Sequence, residues 1–255
     1  MKINRSLIKK IVRRVKNRLF AVAFFFLVAV QFVRMKFIAR PRFSLSLTDL
    51  HLCLFDATPN TGFDRHYVFH TAWASRIIAE SRPVVHTDIS SSLNFIANVS
   101  AFVPVEFYDY RPAKLGLVGV NCHQGDLCAL PFVSDSINSL SCMHVVEHIG
   151  LGRYGDPLDY DGDVKAINEL KRVVAPSGTL LFVVPVGGRS IIKFNAHRIY
   201  TYRQVVSMFE GFQLKEFALI PDDEFEGGLI RHATEAMADL QLYGCGCFWF
   251  EKEEN

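Results

Sequence analysis

The feature that most constrains the fold is the run Thr179-Leu180-Leu181-Phe182-Val183-Val184, apolar at every position after its first. A strand with one wet face alternates apolar with polar residues, so a run apolar on both faces belongs inside a parallel sheet covered by helices on each side. Shorter runs precede it at Val84 to Asp88, Val105 to Asp109 and Ile137 to Met143. Helical spacing fits residues 64–80, with Asp64 as the capping residue, and then about 92–102 and 163–174; residues 110–136 read as loop. Tyr202 to Phe209 reads as a further helix ended by Gly211, Gln213 to Ile220 as a strand, and Cys245 to Phe250 as a final edge or antiparallel strand. The pattern predicts a doubly wound, Rossmann-like α/β sheet with ligands at the carboxyl ends of its strands.

Charge divides the chain in two. Residues 1–42 carry twelve Lys or Arg and no acid, which leaves sixteen basic and 26 acidic residues for 43–255: about +12 against about −10. An acidic body argues against a nucleic-acid groove, and the basic arm suits anionic lipid or an acidic partner. Within the arm, Ile3, Leu7, Ile8, Ile11, Val12, Val15 and Leu19 follow helical spacing among basic residues. Leu19 to Val33 is then apolar except for Gln31, and would make a helix of roughly 22 Å, short of the about 30 Å of a bilayer core. Arg34 to Arg40 offers no small-residue cleavage site, so the segment reads as a retained anchor on the cytoplasmic face more than as a secretory signal. We place the domain boundary near residue 42, giving an arm (1–42) and an α/β domain (43–255). Six cysteines without a CxxC pair fit a reducing compartment and give no metal set.

Acids fall where strands should end: Asp88, Asp109, Asp126 and Glu147. A carboxylate after the second strand can accept both hydroxyls of a ribose, which makes Asp109 the nucleoside-binding candidate. Asp126 could accept from an adenine amine while Leu127 offers its backbone N–H to a ring nitrogen.

The segments GDLCALPFVSDSINSLSCMHVVEHI, INELKRVVAPSGTLLFVVPV and RIYTYRQVVSMFEGFQLKEFALI resemble the second half of class I S-adenosylmethionine-dependent methyltransferases. More closely, HTDISSS, FVPVEFYDYRP, EHIGLGRYGDPLD, FNAHRIY and GCGCFWF resemble a family of unknown function first catalogued from Caenorhabditis proteins. The resemblance implies a methyltransferase fold and S-adenosylmethionine as cofactor and leaves the acceptor, a small molecule or glycan, open; the membrane-prone arm and the fold context point to a saccharide or a lipid-linked glycan. It departs from the methyltransferase pattern in one place: the Gly-rich turn after the first strand is here Asp88-Ile89-Ser90-Ser91-Ser92. Serines are small enough to hold the methionine moiety, so Asp88, Ser90 and Ser91 join Asp109, Asp126 and Leu127 as cofactor-binding candidates. If the turn has lost the cofactor, the domain is a catalytically degenerate binding module at the membrane.

Other candidates sit around the expected cleft. Glu147 and His148, at its mouth, are the catalytic pair, with His148 as general base; a buried ion pair that fixes the loop is the structural alternative. HVVEH (144–148) also matches the inverted zincin motif, which would need His144, Glu147 and His148 on one helical turn. Arg153 and Tyr154 in the loop 151–163, with Asn195 and His197 after the fifth strand, are substrate contacts, and Asp163 caps the helix that follows the loop. His66 and His70, four apart, turn either to the cleft or to solvent. Cys245 and Cys247, two apart in a strand, share a face as small buried hydrophobes.

Overall fold

The structure, a computed structural model, describes the backbone of residues 5–38 and 43–254 and the side chains of 21–38 and 43–254. The chain divides into two compact units, Met1–Gly62 and Phe63–Asn255. In the first, a single helix α1 (Arg5–Ile38) runs for 34 residues, about 51 Å. The basic and apolar segments are therefore one helix, which also takes in Arg34 and Lys36; the amphipathic side-chain pattern over residues 2–19 lies outside the described side chains. Its Ala21–Ile38 stretch, 18 residues with mean hydropathy 1.9, is long and apolar enough to cross a membrane. Residues 43–62 read as loop and hold one 3-10 turn, Leu47–Asp49, closed by reciprocal bonds between Ser46 and Asp49.

The second unit begins with α2 (Arg65–Ser81), whose Asp64 cap accepts from the Tyr67 N–H as expected. There follow β1 (His86–Ile89), α3 (Leu93–Val99), β2 (Val105–Asp109), β3 (Val120–Gln124), β4 (Ile137–Met143), α4 (Gly162–Val173) and β5 (Val174–Val186). The short pair β6 (Ile191–Lys193) and β7 (His197–Ile199) leads to α5 (Tyr202–Met208), β8 (Phe212–Ile220), α6 (Glu235–Asp239) and β9 (Gly244–Lys252). The seven-stranded sheet runs β3-β2-β1-β4-β5-β9-β8, parallel from β3 to β5, with β9 antiparallel to both its neighbours. Strand order reverses between β1 and β4, and at such a point the flanking loops open a crevice above the carboxyl ends.

The two-sided apolar run of residues 180–184 is the core of this sheet. Leu180, Phe182 and Val184 face a cluster that includes Ile167 and Leu170 of α4, whereas Leu181 and Val183 face one that includes Trp73 of α2 and Phe95 of α3. Helices thus cover both faces, the arrangement that a two-sided apolar strand requires.

Three elements differ from the sequence expectations. Val120–Gln124, assigned to loop, is an edge strand, and only Val120 among its residues is buried. Cys245–Phe250 is antiparallel, one of its two expected forms, but not an edge: it lies inside the sheet, between β5 and β8, so β8 is the edge. Gly246 permits this: a Cβ there would come within 2.6 Å of Val186 Cγ1. Finally, α4 starts at Gly162 and Asp163 does not cap it. Its buried carboxylate accepts from Tyr200 Oη at 3.0 Å and pairs with Arg198 at 3.5 Å.

Candidate active site

Two adjoining cavities open over the crevice. The first, of about 560 Å³, is walled by Ser90 after β1, Asp109 at the end of β2 and Arg111 beyond it, Asp126, Leu127 and Cys128 after β3, and His144 and Val145 after β4. The loop 149–162 closes it with Gly150, Tyr154, Asp156 and Asp159. Asp109 is the last residue of β2, and its Oδ1 accepts from the Arg111 N–H at 2.7 Å. Asp126 caps its own turn through the Cys128 N–H at 2.8 Å. Ser90 adopts φ of +56°, the left-handed conformation for which a Gly-rich turn would supply glycine. Its hydroxyl donates to Tyr108 O at 3.2 Å.

Asp88 and Ser91 hold this turn from beneath and do not line the cavity. Asp88 accepts from the Ser91 N–H at 3.0 Å and from the Ser141 hydroxyl, and full burial pushes its carboxyl up to about 6. Ser91 Oγ accepts from the Met143 N–H at 3.1 Å and so ties the turn to β4. Ser92 caps α3 through the Phe95 N–H.

The second cavity, about 360 Å³, is lined by Asp64, His66, Tyr67, Glu147, Arg153, His197 and Tyr243, and shares His144, His148 and Tyr154 with the first. His148 Nδ1 donates to Ala196 O at 2.5 Å, which fixes the tautomer and leaves Nε2 as the lone-pair nitrogen, 3.8 Å from Glu147. Glu147, buried, binds His144 Nδ1 at 2.8 Å. The carboxylate thus lies between two imidazoles and is hydrogen-bonded to that of His144. His144 itself adopts φ of +57°, a strained conformation of the kind that gathers at functional sites.

Of the substrate candidates, Arg153, Tyr154 and His197 meet in the second cavity, and Tyr154 stacks under the guanidinium groups of Arg111 and Arg153. Asn195 sits in the β6–β7 turn at φ of +59° and lines neither cavity. The inverted zincin arrangement does not form: Val146–His148 is a 3-10 turn, His144 lies outside it, and Glu147 occupies His144 Nδ1. His66 and His70 both pack against His144, at ring-centroid distances of 5.5 and 5.1 Å, and His70 is fully buried. Burial pushes His66 down to about 4 and His70 well below the ordinary imidazole range, so both are neutral. Sequence reasoning missed Arg111 and Lys165 on the first cavity, and Tyr67, Tyr243 and Cys245 near His144. These residues carry no local motif; only the folded chain brings them together.

Residues 132–223 match the family described as Caenorhabditis protein of unknown function, DUF268. Among solved structures the chain is similar to a putative sarcosine dimethylglycine methyltransferase from Galdieria sulphuraria (15% identity, 73% of this chain and 86% of that one, TM-score 0.52). It is likewise similar to the Burkholderia thailandensis 1,6-didemethyltoxoflavin-N1-methyltransferase, solved with S-adenosylhomocysteine (13% identity, 73% and 79%, TM-score 0.52). A third similar structure is the N-methyltransferase NodS of Bradyrhizobium japonicum, also with S-adenosylhomocysteine (13% identity, 72% and 86%, TM-score 0.50). No curated protein matches. The fold is that of the class I methyltransferases, as the sequence resemblance implied.

Proposed function

We propose that the second unit binds S-adenosylmethionine in the 560 Å³ cavity and methylates an acceptor held in the adjoining 360 Å³ cavity. One observation carries the reading: Asp109, Asp126 and Leu127, at the carboxyl ends of two neighbouring parallel strands, converge with Ser90 on one cavity at the strand-order reversal. The volume lies within the range of small-molecule sites. Asp109 would accept the two ribose hydroxyls, Asp126 and the Leu127 N–H would read the adenine edge, and Ser90, with Asp88 and Ser91 beneath it, would shape the turn beside the methionine moiety. When bound, the cofactor supplies an electrophilic methyl group on a sulfonium.

The chain's own residues then orient an acceptor and take its proton. His148 faces both cavities, and its Nε2 is the lone-pair nitrogen, so it serves as general base; Glu147, 3.8 Å away, stabilises the imidazolium formed. Arg153, Tyr154 and His197 form the acceptor wall, whose charged and aromatic groups suit a hydroxyl-rich small molecule or glycan. With α1 as anchor, the protein would work on the cytoplasmic face of a membrane, where a lipid-linked acceptor lies within reach.

Calorimetric titration of the full-length chain with S-adenosylmethionine and S-adenosylhomocysteine tests the reading. Micromolar binding is expected, weakened at least about tenfold by Asp109→Asn, since a charge-assisted bond contributes about 1.5–3 kcal/mol. A folded chain that binds neither compound overturns it. That outcome would favour the degenerate binding module, a reading supported by one detail: the Ser90 and Ser91 hydroxyls are bonded inward, to Tyr108 O and the Met143 N–H.

A further inference from the structure

We infer that His66, His144 and Cys245 form a binding site for a zinc-class divalent metal ion beside the cofactor cavity. One donor atom from each of the three lies within 4.8 Å of the other two. His144 Nε2 and Cys245 Sγ are 3.4 Å apart, close to the about 3.5 Å edge that a tetrahedral ion sets between a nitrogen at about 2.0 Å and a sulfur at about 2.3 Å. The His66 and His144 rings, with centroids 5.5 Å apart, are also spaced as two imidazoles on one ion would be.

The surroundings are those of a ligand set. His144 gives its Nδ1–H to buried Glu147, which leaves Nε2 as a lone pair aimed at Cys245; a carboxylate behind a ligating imidazole is the usual outer support of a metal site. His70 adds a second, independent observation. Its Nδ1 donates to His66 O at 2.6 Å, and its Nε2, on a fully buried side chain packed against the His144 ring, has no hydrogen-bond partner among the described residues. A buried lone pair left unpaired costs free energy, so the polar groups packed around His144 are incompletely satisfied by the protein alone.

Two nitrogens and one sulfur suit zinc over magnesium or calcium, which prefer oxygen. Binding would release the Cys245 thiol proton to solvent, leaving a thiolate on the ion. His66 and His144 also line the 360 Å³ cavity, so a remaining coordination position would open there, as in zinc sites that keep a position for water or substrate.

The test is metal analysis of the full-length chain with no S-adenosylmethionine present, so its failure would leave the cofactor reading standing. After dialysis against buffer with equimolar zinc, one zinc per chain is expected. Replacing zinc with Co²⁺ should give the intense visible bands of a tetrahedral site and a thiolate-to-cobalt charge-transfer band in the near ultraviolet. Cys245→Ser should abolish the charge-transfer band, His66→Gln should weaken zinc binding at least 100-fold, and Glu147→Gln should weaken it 10- to 100-fold, each with an unchanged circular dichroism spectrum. Less than one-tenth zinc per chain in the folded unaltered protein, or a Co²⁺ spectrum without the thiolate band, would overturn the inference; both readouts come from the unaltered chain and hold even if a variant fails to fold.

Discussion

At the scale of single residues, the buried polar chain between β1 and β4 makes stability depend on pH in two opposed ways. His86 bonds Ser139 and Ser141 through its two ring nitrogens, and Ser141 in turn donates to Asp88. Burial pushes His86 from 6.5 down to about 3. Between those values the unfolded chain takes up a proton that the folded chain refuses, so this residue's contribution is full above pH 6.5 and is lost on acidification. Asp88, raised from 3.8 to about 6, has the opposite sign: the folded carboxyl keeps a proton that the unfolded one releases, so stability falls as pH rises through that window. Each effect amounts to about 1.4 kcal/mol per pH unit, so over roughly pH 4 to 6 they oppose each other closely. Taking one partner away should expose the other. Asp88→Asn should lose stability on acidification, His86→Gln should gain it, and their slopes should differ by about 3 kcal/mol per pH unit in urea unfolding at pH 4, 5 and 6. Equal slopes in the two variants would refute the assignment.

At the scale of elements, the loop between β4 and α4 covers the first cavity, and Arg198 of β7 clamps both of its ends. The guanidinium donates to Ile149 O at 2.6 Å and to Tyr160 O at 2.9 Å while it pairs with buried Asp163. Gly150 makes the closure possible, since a Cβ there would meet Asp159 O at 2.1 Å. Arg198→Ala strands a buried carboxylate and should cost about 3–5 kcal/mol, with cleavage between residues 150 and 161 the first event in limited proteolysis. Arg203→Ala removes an exposed pair with Glu235 and should leave the unfolding midpoint where it is. This clamp also shows where sequence stops being informative. β5 and its covering helices were legible because two-sided burial and helical periodicity leave direct traces, and Asp109 was legible because a strand end can be read locally. β3 was not, because an edge strand such as Val120–Gln124 buries little and keeps polar residues. Asp163 looked like a cap because its partners, Arg198 and Tyr200, lie 35 and 37 positions away. The cluster around His144 was hidden for the same reason: His66 comes from the start of α2, His144 from the end of β4 and Cys245 from β9.

At the scale of the whole molecule, the charge division and α1 together set an expectation about where the protein resides. The 18-residue stretch Ala21–Ile38, apolar except for Gln31, Arg34 and Lys36, would extend about 27 Å as a helix, close to the about 30 Å hydrocarbon thickness, with the basic turns of the same helix ahead of it. Two attractions are then available: burial of apolar surface, indifferent to salt, and attraction of the +12 arm to anionic lipid, which screening weakens. They can be told apart. Full-length protein should co-sediment with vesicles containing phosphatidylserine and stay with the pellet in 1 M salt, where the Debye length is about 3 Å. A chain starting at Phe63, which carries the whole second unit, should remain in the supernatant at any salt. Release of the full-length chain by salt would mean that charge alone holds it at the surface and that α1 is not inserted. Recovery of the full-length chain in solution with vesicles at low salt would remove the anchor altogether, and with it the reason to look among membrane-bound glycans for the acceptor.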